Sequence, residues 1–208
     1  MLFIDEFGHV DAEKIKVKIY PLIEMRDLKR VNGIVVHQTG GSSAASALGS
    51  YGKLQPNGDK PNGAHFLIDK DGSILQTASL RKTTKHVGDL QSRCVLRKTC
   101  SDAQLNASLQ IETIKGNRAR ADAVNRAEMP KKFPDRFPNN SDAIGIEIVG
   151  ATLPEDGTKY EPVNAAQNSS LKWLVQELAE TLGVSMQEVY RHPEIGRKTE
   201  SEASTARW

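Results

Sequence analysis

His37 closes an apolar, β-branched run, IVVH, and small residues follow it at once in QTGGSSAAS. Glu147 interrupts a second such run, AIGIEIVG, and His192 lies eight residues before Glu200 with Lys198 between them. A single histidine on an apolar strand is most often a packing or hydrogen-bonding residue. A carboxylate in an apolar strand is costly to bury unless it is paired, bound to a metal or poised for proton transfer. The other reading of Glu147 is that strand alternation simply turns it to solvent. Taken as a set, these residues have a definite chemistry. Two imidazoles and a carboxylate are a common three-ligand set for catalytic zinc, with the fourth position left to water. Such a site keeps a net positive charge and lowers the pKa of a bound water toward about 7. A second carboxylate nearby can take the water's proton, and a lysine can hold the oxyanion formed when water adds to a carbonyl.

The segments around these residues read as elements that could position them. VNGIVVHQ (31–38) and AIGIEIVG (143–150) are buried strands, and GGSSAASALGSY opens a helix at Ser42 or Ser43. AHFLIDKDGSILQTA (64–78) reads as a hairpin turning at Asp71 and Gly72. In SSLKWLVQELAETLG, Leu171, Leu174, Val175, Leu178 and Leu182 form a helical stripe, capped by Ser169 or Ser170 and ended by Gly183. Residues 1–30 form an N-terminal arm with a short strand in KIKVKIYPLI. Residues 88–140 are polar, with one helical stretch and a Pro-broken loop, and read as an insertion or lid. The tail from Val189 is polar and non-periodic. Strands and helices mixed in one chain of 208 residues predict a single α/β or α+β domain with a central sheet.

Composition narrows the classes. Hydrophobic residues are 38% and charged residues 26%, as in soluble globular chains, and net charge is +2 with pI about 8.5. That balance gives no argument for nucleic acid, and no run approaches the roughly 18 apolar residues of a membrane span. The start, MLFIDEFGHVDAEK, lacks a basic n-region and is not a Sec-type signal peptide. Cys94 and Cys100 either close a small disulfide, worth roughly 2–2.5 kcal/mol by loop entropy, or remain two thiols.

VVHQTGG, GAHFLIDKDGSI, KHVG, SDAIGIEIVG and RHPEIGRKTE occur in this order over roughly residues 31–200. Together they resemble the zinc N-acetylmuramoyl-L-alanine amidases of the type 2 amidase and peptidoglycan-recognition family. The resemblance implies a mixed α/β fold, a central mixed β-sheet flanked by helices. It implies zinc-dependent cleavage of the amide between the lactyl group of N-acetylmuramic acid and L-alanine of the stem peptide. Carried onto this chain, it makes His37, His192 and Glu200 the metal ligands, with Glu202 a nearby alternative to Glu200. It makes Glu147 the general base and Lys198 the residue that polarises the scissile carbonyl. His86 falls on a histidine near the substrate groove, either contacting substrate or holding its loop. His65 is structural or groove-lining, and His9 a surface residue. Relatives with a tyrosine before the hairpin histidine differ from this chain, which has Ala64 there. The partners expected are peptidoglycan or muropeptides, with no nucleic acid and no membrane insertion. Action on the wall or in the periplasm after signal-peptide-independent export fits a phage lysin or an injected antibacterial effector, of the kind a type VI secretion machine delivers. An effector implies an immunity protein in the producer. A cytoplasmic recycling enzyme and a non-catalytic wall-binding module are the other readings.

Overall fold

The computed structural model describes residues 1–208. The two longest strands, β4 (Gly33–Gly40) and β7 (Ala143–Leu153), lie side by side and parallel in a seven-stranded sheet. Both come from apolar, mostly β-branched runs, as strands covered on both faces require. On the far edge of β7 follow β5 (Phe66–Ile68), parallel to it, then β6 (Ile74–Gln76), then β3 (Ile15–Val17). The β5–β6 pair is antiparallel, and Gly72 takes the positive φ of +86° that its turn needs. β9 (Val189–Arg191) closes the other edge, parallel to β4, and β8 (Asp156–Tyr160) folds back on the end of β7. This is the mixed α/β sheet with flanking helices expected from the sequence.

Side chains alternate along a strand, so the two faces of the sheet do different work. Ile34, Val36, Phe66, Ile68, Ile144, Ile146 and Ile148 form one core with the buried stripe of α5 (Ala165–Leu182). Val35 and His37, together with their register partners Gly145 and Glu147, occupy the opposite face. α5 starts a turn before the expected serine caps. Asn164 and Gln167 make a reciprocal capping box, while Ser170 instead donates to the Gly72 carbonyl. Gly183 ends the helix in the left-handed conformation.

Between β6 and β7 the chain forms α2 (Arg93–Arg97), α3 (Asp102–Glu112) and α4 (Asn117–Glu128). The single helical stretch expected here is split at Gly116, whose φ of +91° no helix admits. Cys94 and Cys100 are joined as a disulfide across the α2–α3 connection. The tail, read as polar and non-periodic, supplies β9 and α6 (His192–Ile195). β9 is too short to show a period, and its ladder comes from β4. At the N-terminus a ribbon of β1 (Phe3–Ile4) and β2 (Val10–Asp11) sends Leu2 and Val10 into the main core, and α1 (Ala44–Tyr51) follows β4 with Ser43 as its cap. No helix is long and apolar enough to cross a membrane.

Candidate active site

β4 delivers His37, 2% exposed, to the covered face of the sheet. β9 pairs Tyr190 with Val35, so His192, two residues on at the start of α6, emerges beside His37. The two Nδ1 atoms are 2.8 Å apart. Glu202 completes the group, its Oε1 3.2 Å from His192 Nδ1 and 3.5 Å from His37 Nδ1. Three ligands of a tetrahedral zinc at about 2.1 Å would stand roughly 3.4 Å from one another, which these separations bracket. Burial alone would raise the Glu202 carboxyl, but the neighbouring His192 and His37 rings overcome it and hold it at about 2. Burial, and then the neighbouring His192, lowers His37 to about 4, so its imidazole is neutral and offers a lone pair.

The third ligand expected from the resemblance, Glu200, is not in this group: it is exposed, while Glu202 is 3% exposed. The reason is a turn. Glu202 N–H donates to the Thr199 carbonyl, and Ala203 is buried with φ at +54°. The Ala203 N–H donates to Gln38 Oε1 at 2.8 Å, and Gln38 Nε2 donates to the Glu161 carbonyl. Gln38 directly follows His37. The strand that carries His37 thus also anchors the turn that carries Glu202. Gly150 leaves room for this amide, since a Cβ there would collide with Gln38 Nε2.

Glu147 sits across the β4–β7 ladder from His37. Burial pushes its carboxyl up to about 8, the Glu202 charge adds to that, and Lys198 opposes it. Lys198 is exposed, and its charge also acts on His37. Glu147 Oε2, Glu202 Oε2 and His192 Nε2 are buried without a hydrogen-bond partner. Orphaned polar atoms are few in folded proteins, and three in one site mark a place built to receive something that is not protein. The two imidazole nitrogens, the ionised carboxylate and the unpaired oxygens are the donor set of a zinc site, so the residues fit that metal.

A model of the N-acetylmuramoyl-L-alanine amidase family matches residues 27–203, most of the 208-residue chain. The chain belongs to this family. A search of curated proteins gave no match. Among solved structures, a selenomethionine derivative of AmpD is 18% identical with a TM-score of 0.57, over 94% of this chain and 89% of that one. The amidase LysC from Clostridium intestinale URNW is 16% identical with a TM-score of 0.48, over 88% of this chain and 86% of its own. Drosophila peptidoglycan recognition protein SD is 12% identical with a TM-score of 0.42, over 88% and 85%. At these identities the likeness to AmpD concerns the fold.

In this amidase His86, expected to contact substrate or hold its loop, lies against His37, with its Nδ1 2.9 Å from His37 Nε2. Its own Nε2 is 3.3 Å from the Ala143 carbonyl. The network assigns the tautomers. With His37 Nδ1 turned to the cluster, the His37 proton is on Nε2 and is donated to His86 Nδ1, and His86 donates its own proton to Ala143. His86 is held in turn by Asn140, whose Oδ1 accepts from the His86 and Val87 N–H groups at 2.9 and 2.6 Å. A Cβ at Gly145 would meet the His86 ring at 2.8 Å. His65 is structural: fully buried, its Nδ1 accepts from Gly145 N–H and its Nε2 donates to the Lys82 carbonyl. Tyr51, on α1, is buried and close enough to Glu147 that burial first, and then that charge, raises its phenol. Gln38, Asn140 and Tyr51 carried no signal in the sequence. Glu202 did, as an acid among small residues in SEAS.

Proposed function

We propose that the protein is a zinc-dependent hydrolase of the amide joining the lactyl group of N-acetylmuramic acid to L-alanine of the peptidoglycan stem peptide. The observation that carries this reading is the convergence of His37, His192 and Glu202 in a buried group beside Glu147. Zinc held by those three residues would supply Lewis acidity toward the scissile carbonyl and acidify a water. The residues of the chain do the rest. Glu147, on a rigid central strand, takes a proton from the attacking water through its unpaired oxygen and returns it to the departing alanine nitrogen. Lys198, whose charge acts on both His37 and Glu147, supplies an ammonium to hold the charge that develops on the carbonyl oxygen. His86 keeps the His37 proton off the ligating nitrogen.

The Cys94–Cys100 disulfide supports action outside a reducing cytoplasm, on the wall or in the periplasm. The test is digestion of purified peptidoglycan by as-isolated, chelator-treated and zinc-restored protein, with products read by mass spectrometry. Stem peptides with a free L-alanine amine should appear, vanish with chelator and return with zinc. Intact wall and intact soluble muropeptides after treatment with zinc-loaded protein would contradict the reading.

A further inference from the structure

The segment 89–97 wraps around the stretch of chain that carries His192. Leu90 bridges to Gly196, Gln91 N–H donates to the Ile195 carbonyl at 2.8 Å, and Arg197 N–H donates to the Asp89 carbonyl at 2.9 Å. The Gln91 side-chain amide donates to the Pro193 and Gly196 carbonyls at 2.8 and 3.0 Å. These bonds hold the Gly196 backbone against the His192 ring, so closely that a Cβ there would meet its Nε2 at 3.0 Å. Arg93 of α2 makes two bonds to the Glu188 carboxylate, at 2.9 and 2.6 Å, and Arg97, one turn on, donates to the Tyr190 hydroxyl at 3.1 Å. Tyr190 in turn donates to Glu188, and it lies in β9, two residues before His192.

α2 has little of its own to hold it in place. It is five residues long, Ser92 gives it no side-chain cap, and Lys98 ends it at a φ of +56°, which is costly for a residue with a Cβ. α3, which follows, buries no side chain. The Cys94–Cys100 disulfide ties α2 to the start of α3 across this weak connection. Cys94 is buried, while Cys100 is half-buried between exposed Thr99 and Ser101, so the bond is open to a thiol from the Cys100 side. We propose that the segment 89–97 positions His192 and that the disulfide is the latch that keeps this support closed, so that its reduction loosens the metal group. In that reduction two thiols of the glutathione class are oxidised to a disulfide, and the S–S bond becomes two cysteine thiols. In a reducing compartment the chain holds zinc weakly, and oxidation outside it tightens the site. The inference rests on the zinc reading of His37, His192 and Glu202.

The test is zinc affinity, by competition with a chromophoric chelator, in the oxidised protein and in the paired variant Cys94→Ala, Cys100→Ala, with no thiol reagent present to bind the metal. The paired variant should hold zinc about tenfold more weakly, the lower end of what losing support around a ligating histidine costs. Gln91→Ala should weaken the oxidised protein by a similar factor. Removing the cysteines as well should then add little, because both changes act through one segment. Wild type reduced by a phosphine, desalted and reoxidised with glutathione disulfide should lose affinity and regain it, which keeps the test decisive if the paired variant does not fold. Hydrogen exchange should quicken over residues 189–197 on reduction, while β4, β7 and α5 keep their rates. Equal affinity in the oxidised and reduced forms would overturn the proposal. So would faster exchange throughout the sheet, which would make the disulfide a general brace. Redox-dependent zinc affinity in a protein that cleaves no muramyl peptide would uphold the latch and sink the amidase reading instead.

Discussion

Glu147 and Glu202 are carboxylates in one site with opposite tasks, and their surroundings set the difference. Glu202 lies against the Nδ1 atoms of His192 and His37, and those two rings hold it ionised, as the proposed ligand role requires. Glu147 has no such partner for Oε2 and is held toward the protonated form by burial, which suits the proposed role of receiving and returning a proton. Glu147→Gln should therefore lower kcat by about 10²–10⁴-fold while zinc content stays at wild-type level, checked by kinetics alongside metal quantification. A comparable loss of zinc would mean Glu147 is a ligand. His86→Ala removes the acceptor for the His37 proton and should weaken zinc about 10–100-fold in a chelator competition. An unchanged affinity would show that His37 needs no such support. His37, His192 and Glu147 were legible in the sequence because each stands out against an apolar run or lies in a family motif. Glu202 was not separable from Glu200, since two acids of one type lie two residues apart and the choice depends on which way a turn faces.

That turn is decided at the scale of elements. β4 presents His37 to one side and Gln38 to the other end of the same local network, where the Gln38 amide holds Ala203 in its left-handed conformation. Gln38→Leu should leave the Ala203 N–H unpaired, let the 199–203 turn relax, and lower zinc affinity about tenfold or more with little change in secondary structure. Circular dichroism and metal competition on the same sample check it, and full affinity in the variant would show that the turn holds itself. Helical and strand periodicity made β4, β7, the hairpin and the buried stripe of α5 readable. The start of α5 was missed because side-chain reciprocity between Asn164 and Gln167 outweighs the serines inside the helix. β9 was missed because three residues carry no period and the strand exists only by pairing with β4.

Across the whole molecule, the strand order β3-β6-β5-β7-β4-β9 brings together residues more than a hundred positions apart, and local pattern carries no trace of that order. What the whole fold adds is a set of buried neutral histidines. His65 is held at about 4 by burial, with the Lys82 carbonyl pulling the other way. Its unfolded value is about 6.5, so below that pH the unfolded chain takes up a proton that the fold refuses. The stability this neutral ring contributes is fully present above pH ~6.5 and is lost as pH falls toward 4, up to about 3 kcal/mol. His37 is shifted in the same direction, so the wild-type slope contains more than one proton. Chemical denaturation at pH 7, 6 and 5 should therefore show a shallower loss in His65→Asn than in the wild type. Parallel slopes would remove His65 from the balance.

The central claim is that the metal group consists of His37, His192 and Glu202. The most direct measurement is zinc stoichiometry and affinity in Glu202→Ala and Glu200→Ala, purified side by side with the wild type. Glu202→Ala should lose tightly held zinc and wall-cleaving activity together, while Glu200→Ala keeps one zinc per chain at wild-type affinity. The reverse pattern, zinc lost with Glu200 and retained without Glu202, would contradict the site as described.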